Sequence, residues 1–167
     1  MTRIPSIEVA IENEKREMEF YLNEAERSLN PMARYLFETL ASDEQDHIDL
    51  LRKLHSSLVD EEKWPEDVAA KIADNNILSA MQHAVQRQSS HEDHVDNDVD
   101  ALRKSVLFEA SAVEFYLSIA EECENPMEEK FFRYLAAIEE KHMLAIKDTL
   151  LFLENPDAWH QAHDGDA

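Results

Sequence analysis

Glycine is almost missing from this sequence: Gly165 is the only one among 167 residues, and there are five prolines. Strands and hairpins need Gly, Asn-Gly or Asp-Gly turns at short intervals. The one Asp-Gly pair, Asp164-Gly165, lies in the tail, so a β-rich fold has no turns to work with. Cysteine is equally scarce. A lone Cys123 rules out an internal disulfide, a four-cysteine iron site and a CxxC redox pair within the chain, and it fits a reducing, cytoplasmic setting. Positive charge is in short supply, with 16 basic residues against 37 acidic ones and a formal charge of −21. Such a surface repels phosphate backbones and anionic lipid, which argues against nucleic-acid partners. No apolar run approaches the ~18 residues of a membrane span, and the first residues, Met1 to Glu8, contain no apolar signal-peptide core. What is abundant is Glu, Ala and Leu, which predicts an all-α protein.

The main feature is an internal repeat. Shifted by 95 residues, Glu19-Phe20-Tyr21-Leu22 falls on Glu114-Phe115-Tyr116-Leu117, and Asn30-Pro31-Met32 falls on Asn125-Pro126-Met127. Glu14, Phe37, Leu40, Ala41, Glu44 and His47 fall on Glu109, Phe132, Leu135, Ala136, Glu139 and His142, without a gap. This reads as two helical hairpins of common design, related by a pseudo-two-fold axis. Each Asn-Pro offers an N-cap followed by proline at the first helical position. Four helices follow, over about 6–29, 31–57, 98–124 and 126–153, within a single domain of 1–167. The long crossover, 58–97, is expected to contain an extra helix beginning after Pro65 and running from Val68 through Leu78 and Met81 to Val85. Two hairpins joined by one long crossover make a ferritin-like four-helix bundle.

Each helix carries an apolar seam with polar ligand-type residues at its centre. The first reads Ile7, Ile11, Glu14, Met18, Tyr21, Ala25 and the third Leu102, Val106, Glu109, Val113, Tyr116, Ala120. The second reads Phe37, Leu40, Glu44, His47, Leu51, Leu54, and the fourth Phe132, Leu135, Glu139, His142, Ile146, Leu150. Four carboxylates therefore point to where the helices converge. Buried together they lose hydration and repel, so they must be protonated or surround cations. Two divalent ions would balance four carboxylates with two neutral histidines. Residues i and i+3 lie about 60° apart and about 4.5 Å along a helix, so one metal ion can meet both groups of a Glu-x-x-His. One Glu from each of two helices and Glu-x-x-His from each of the other two is the ligand pattern of dinuclear carboxylate centres. Oxygen and imidazole donors suit iron, manganese or zinc. Partly exposed glutamates at the rim of a loose bundle are the alternative, but they leave the recurrence of both histidines unexplained.

At these residues the sequence resembles the ferritin-like domain of rubrerythrins, over roughly 6–153 apart from the crossover. The signature is a glutamate followed seven residues later by the Tyr of Glu-Phe-Tyr, then Leu-Ala-x-x-Glu-x-x-His on the next helix. Both halves carry it, in Glu14 to Tyr21 with Leu40 to His47, and in Glu109 to Tyr116 with Leu135 to His142. The resemblance implies that Tyr21 and Tyr116 hydrogen-bond cluster carboxylates across the core; the alternative is a pair of core aromatics with hydroxyls satisfied elsewhere. It also implies two iron ions, a homodimer and reduction of hydrogen peroxide to water. The pattern departs in two places. Rubrerythrins usually add a rubredoxin module that delivers electrons, and no such module occurs before Ala167, so reduction is expected from a separate donor protein or from ferrous iron. They also carry a second glutamate one turn after the third-helix ligand, where this chain has Ala112. The repeat mate of Ala112 is Glu17, a candidate extra ligand, with a solvated helix-face residue as the alternative.

Two other readings of the centre stand beside peroxide reduction. One is oxidation of ferrous iron by dioxygen, with iron storage or transfer; the other is a structural metal site, with zinc for example. Elsewhere, His91 and His94 form an HxxH in a polar loop, His83 reads as a surface residue and Cys123 as a packing residue. Asp60, Glu61 and Glu62 read as solvated. Trp159 is expected to fold back on the bundle, with His160 and His163 in a mobile tail.

Overall fold

A computed structural model of the chain describes residues 3–61, 63–64, 77–87 and 96–163. Its elements are α1 (Arg3–Arg27), α2 (Pro31–Glu61), α3 (Ile77–Arg87), α4 (Asp96–Glu122), α5 (Pro126–Glu154) and α6 (Pro156–His163), with no strand among the described residues. The two Asn-Pro hinges are built alike. Asn30 Oδ1 accepts from the backbone N–H groups of Met32 (2.8 Å) and Ala33 (3.2 Å). Asn125 Oδ1 accepts from those of Met127 (2.8 Å) and Glu128 (3.3 Å). Each cap satisfies helix-end donors and turns the chain back on itself, so α1 packs along α2 and α4 along α5.

The core consists of two apolar clusters. One gathers Tyr21, Leu36, Phe37 and Leu40 with Leu102, Ile146 and Phe152, and so joins the C-terminal ends of α1 and α5 to the N-terminal ends of α2 and α4. The other gathers Ile7, Leu51 and Leu54 with Tyr116, Phe131, Phe132 and Leu135 at the opposite end. Trp64, just beyond α2, belongs to the second cluster, whereas Ile77 and Met81 of α3 belong to the first. The described residues on either side of 65–76 therefore lie at opposite ends of the bundle, in keeping with a ferritin-like connectivity. Asp98 at the start of α4 ties the hairpins at one end by accepting the Asn30 backbone N–H at 2.8 Å.

One expectation, the mobile tail, changes. The described crossover helix is Ile77–Arg87; the segment 65–76, where it was expected to begin, lies outside the described residues, as do His91 and His94. The tail at 156–163 is a docked helix. Asn155 Oδ1 caps it by accepting the Ala158 N–H, and Pro156 occupies its first turn. Trp159 is buried against Phe152, and its indole N–H donates to Asp148 Oδ2 at 3.0 Å. His163 stacks on Trp159 with ring centroids 4.0 Å apart and lies 3.1 Å from Asp148 Oδ1, while His160 packs edge-on against Phe152 and Trp159. Burial of one indole with a hydrogen-bond partner is enough to order a short segment whose own helix propensity is weak. His83 is exposed and Cys123 is half-buried.

Candidate metal centre

Between the two apolar clusters the seams place a layer of acid. Glu14 and Glu17 of α1, Glu44 of α2, Glu109 of α4 and Glu139 of α5 are all 0% exposed, with His47 at 2% and His142 at 1%. Water does not reach these carboxylates, so their charge must be met from within the protein or by a bound ion.

Two groups of ligand atoms converge. Glu14, Glu44, His47 and Glu139 offer one atom each within 4.8 Å of one another, and so do Glu44, Glu109, Glu139 and His142. Glu44 and Glu139 belong to both groups, which is the arrangement of two adjacent cation positions with shared carboxylates. His47 Nδ1 lies 3.6 Å from Glu14 Oε2 and 3.5 Å from Glu44 Oε2. His142 Nδ1 lies 3.2 Å from Glu44 Oε1 and 3.6 Å from Glu109 Oε1. The imidazole rings lie nearly parallel, with centroids 6.0 Å apart.

The donor set fits a pair of divalent ions. Both oxygens of Glu44 and of Glu139, Oε2 of Glu14, Glu17 and Glu109, both nitrogens of His47 and Nδ1 of His142 are buried without a hydrogen-bond partner. So many orphaned acceptors in one place are costly by themselves and are satisfied together by cations. The electrostatics of the protein without metal show the same strain. Burial first, then the charge of Glu109, pushes the Glu17 carboxyl up to about 8. Burial and the surrounding carboxylates drive Glu139 well above the usual carboxylate range. Burial also opposes ionisation of Glu44, but the neighbouring His142 and His47 imidazoles, 3.2 and 3.5 Å away, outweigh it and hold Glu44 below the usual value. For His142 burial opposes the charge, yet Asp43, Glu109 and Glu44 raise its pKa well above that of a free imidazole.

The two tyrosines reach across the bundle. The Tyr21 hydroxyl on α1 donates to Glu109 Oε1 on α4, and the Tyr116 hydroxyl on α4 donates to Glu14 Oε1 on α1 at 2.8 Å. Burial raises both phenols well above their usual pKa, so they stay protonated and remain donors. Glu17 lies beside the cluster, outside both convergent groups; Asn13 Nδ2 donates to its Oε1 at 2.7 Å and also to the Tyr116 hydroxyl at 3.3 Å.

Two residues, Asp43 and Asn13, are not singled out by the sequence. Asp43 Oδ2 lies 3.0 Å from His142 Nε2 and accepts its N–H, which turns the Nδ1 lone pair toward the carboxylates. The available signal was an acid at a core-facing register, since the repeat mate of Asp43 is the buried Ile138. Asn13 was missed in the same way; its repeat mate is Phe108.

Fold and donor set together define a ferritin-like bundle with a buried carboxylate and histidine centre able to hold metal. The family model described as Rubrerythrin matches residues 6–93, just over half of the 167. The chain belongs to the rubrerythrin family. The match spans α1, α2 and α3, while α4 and α5 repeat the design of α1 and α2 and supply Glu109, Glu139 and His142. No curated protein and no solved structure is similar enough to match. Among the described residues no helix is long and apolar enough to cross a membrane.

Proposed function

We propose that the chain holds two iron ions through Glu14, Glu44, His47, Glu109, Glu139 and His142, with Glu17 as an additional carboxylate, and reduces hydrogen peroxide to water. The observation that carries this reading is the pair of convergent groups sharing Glu44 and Glu139. Two ferrous ions supply the two electrons that one peroxide needs, in the balance H2O2 + 2 Fe2+ + 2 H+ → 2 H2O + 2 Fe3+. The chain's own residues do the rest. Tyr21 and Tyr116 fix Glu109 and Glu14 by donating to one oxygen of each, which leaves the other oxygen free to bind metal. Asp43 holds the proton on His142 Nε2, so that Nδ1 is the ligand atom. The apolar clusters on either side keep bulk water from the carboxylates, and the buried site suits a small oxidant better than a bulky substrate. A separate donor protein returns the electrons. We further propose that the chain works in the cytoplasm as a homodimer.

The test is anaerobic loading with two ferrous ions per chain, followed by stopped-flow oxidation with peroxide and, separately, dioxygen. Peroxide reacting much faster, with about one peroxide consumed per two ions, is the expected result. Faster reaction with dioxygen and continued iron uptake beyond two ions would replace this reading with ferrous-iron oxidation and storage.

A further inference from the structure

The repeat makes every position around the centre its own control. The pseudo-two-fold exchanges His47 with His142, Glu14 with Glu109 and Glu44 with Glu139. Had the halves stayed identical, the two cation positions would be equivalent. Two neighbours break the symmetry in favour of one side, while a third, Asn13, bonds both Glu17 and the Tyr116 that donates to Glu14 and so reaches both sides. Asp43 anchors His142 through Nε2 at 3.0 Å. In the other half the mate of Asp43 is Ile138, which has no acceptor to offer, and both nitrogens of His47 are buried without a partner. The second difference is Glu17, whose mate is Ala112. Glu17 interacts with Glu109, His142 and Glu139, so it brings a further carboxyl group, available to ionise when a cation binds, to the His142 side. Ala112 offers only a methyl group in the other half.

We infer that the two metal positions are unequal, the one built on Glu44, Glu109, Glu139 and His142 filling first and binding more tightly than the one built on Glu14, Glu44, His47 and Glu139, because Asp43 serves the former alone and Glu17 adds a carboxyl group beside it. Asp43 is a positioning residue. It selects the His142 tautomer that presents a lone pair and holds the ring against rotation, whereas His47 must be ordered by the ion it binds. Glu17 adds a carboxyl group, and a site richer in carboxylate attracts a divalent ion more strongly. This inference rests on the two-metal reading of the site and adds the order of filling to it.

The experiment is calorimetric titration of the metal-free full chain with cobalt(II), a redox-stable probe whose visible absorption reports ligand geometry. The wild type should show two steps at least about 10-fold apart. Asp43→Ala should weaken the first step about 10- to 100-fold, the usual loss on removing a hydrogen-bond partner of a metal-bound histidine, and leave the second within about 3-fold. Asp43→Asn keeps the shape and an acceptor oxygen, so it should give a smaller loss in the same step. Glu17→Gln should also act on the first step. His142→Ala should abolish the tight step and His47→Ala the weak one. A purely structural role for Asp43 would weaken both steps alike, with the same loss in the Asn variant, and that result overturns the inference. Equal steps in the wild type overturn it too, while leaving the two-metal reading intact. Fewer than two cobalt ions per chain overturns both.

Discussion

Glu139 offers a direct way to separate the thermodynamic burden of the centre from its use. Its carboxylate is 0% exposed, both oxygens lack a hydrogen-bond partner, and it belongs to both convergent groups. Each orphaned buried acceptor costs about 1–3 kcal/mol, so two cost about 2–6 kcal/mol before repulsion is considered. In Glu139→Leu that burden disappears, and apolar surface takes its place at a modest packing cost of under about 1.5 kcal/mol. Exchanging a buried charge for a hydrophobe of similar volume has stabilised other proteins by about 1–4 kcal/mol. For a chain of this size each kcal/mol moves Tm by about 2–4 °C, so the metal-free variant should melt about 2–16 °C above the metal-free wild type. With metal the order should reverse. A wild-type site at 1,000 times its Kd gains about 4 kcal/mol, and the variant has lost the carboxylate that both positions share. Differential scanning calorimetry after chelation, and again with two equivalents of cobalt(II), reads both halves of this crossing. Leucine at the exposed Glu26 is the control and should move neither midpoint much. A lower Tm for metal-free Glu139→Leu, or an unchanged gain on adding metal, would refute the view that this layer of carboxylates is balanced by cations.

Trp159→Ala should cost about 3–5 kcal/mol in denaturant unfolding, because it empties a buried site and strands Asp148 Oδ2, yet cobalt stoichiometry should remain at two because Trp159 packs on Phe152, His160 and His163 and bonds Asp148, none of them a proposed ligand. For Cys123, burial first, with help from the charge of Glu128, pushes the thiol up to about 12 from 9.0. A raised thiol pKa means less thiolate at any pH below it. The native chain should therefore be alkylated more slowly than the urea-unfolded chain at pH 8, with the native rate still rising above pH 10. Equal labelling rates at pH 8 would refute it.

The parts of this protein legible in its sequence are those fixed by local periodicity and by the repeat. The seams of α1, α2, α4 and α5 announce their buried faces at helical spacing, and the Asn-Pro pairs announce two hinges whose caps the structure builds alike. Glu14, Glu44, His47, Glu109, Glu139 and His142 stand out because a polar group in an apolar seam is expensive and here recurs at matching places. What stays hidden depends on contacts between distant segments. Nothing near Trp159 along the chain says that Asp148 will accept its indole N–H, so residues 156–163 read as tail until the bundle that buries them is in view. Asp43 meets His142 across 99 positions of sequence, from α2 to α5.

The misses at Asp43 and Asn13 share a cause that bears on how the centre works. A repeat is read for what its halves have in common, and these residues are where they differ, with Ile138 and Phe108 as their mates; Glu17 is legible by direct comparison with its mate, Ala112. A symmetric pair of hairpins is sufficient to place two ions side by side, since the shared ligands arise from the design both halves follow. Making the two ions do different things requires the symmetry to be broken, and it is broken most cheaply by residues that touch the ligands without replacing them. Asn13 bonds Glu17 and Tyr116 together, and Tyr116 in turn donates to Glu14. The α1 carboxylates Glu14 and Glu17 are thus linked through one amide, with no amide at the mate position on α4. A perturbation at Asn13 is therefore expected to reach both cation positions, whereas one at Asp43 reaches only the His142 side.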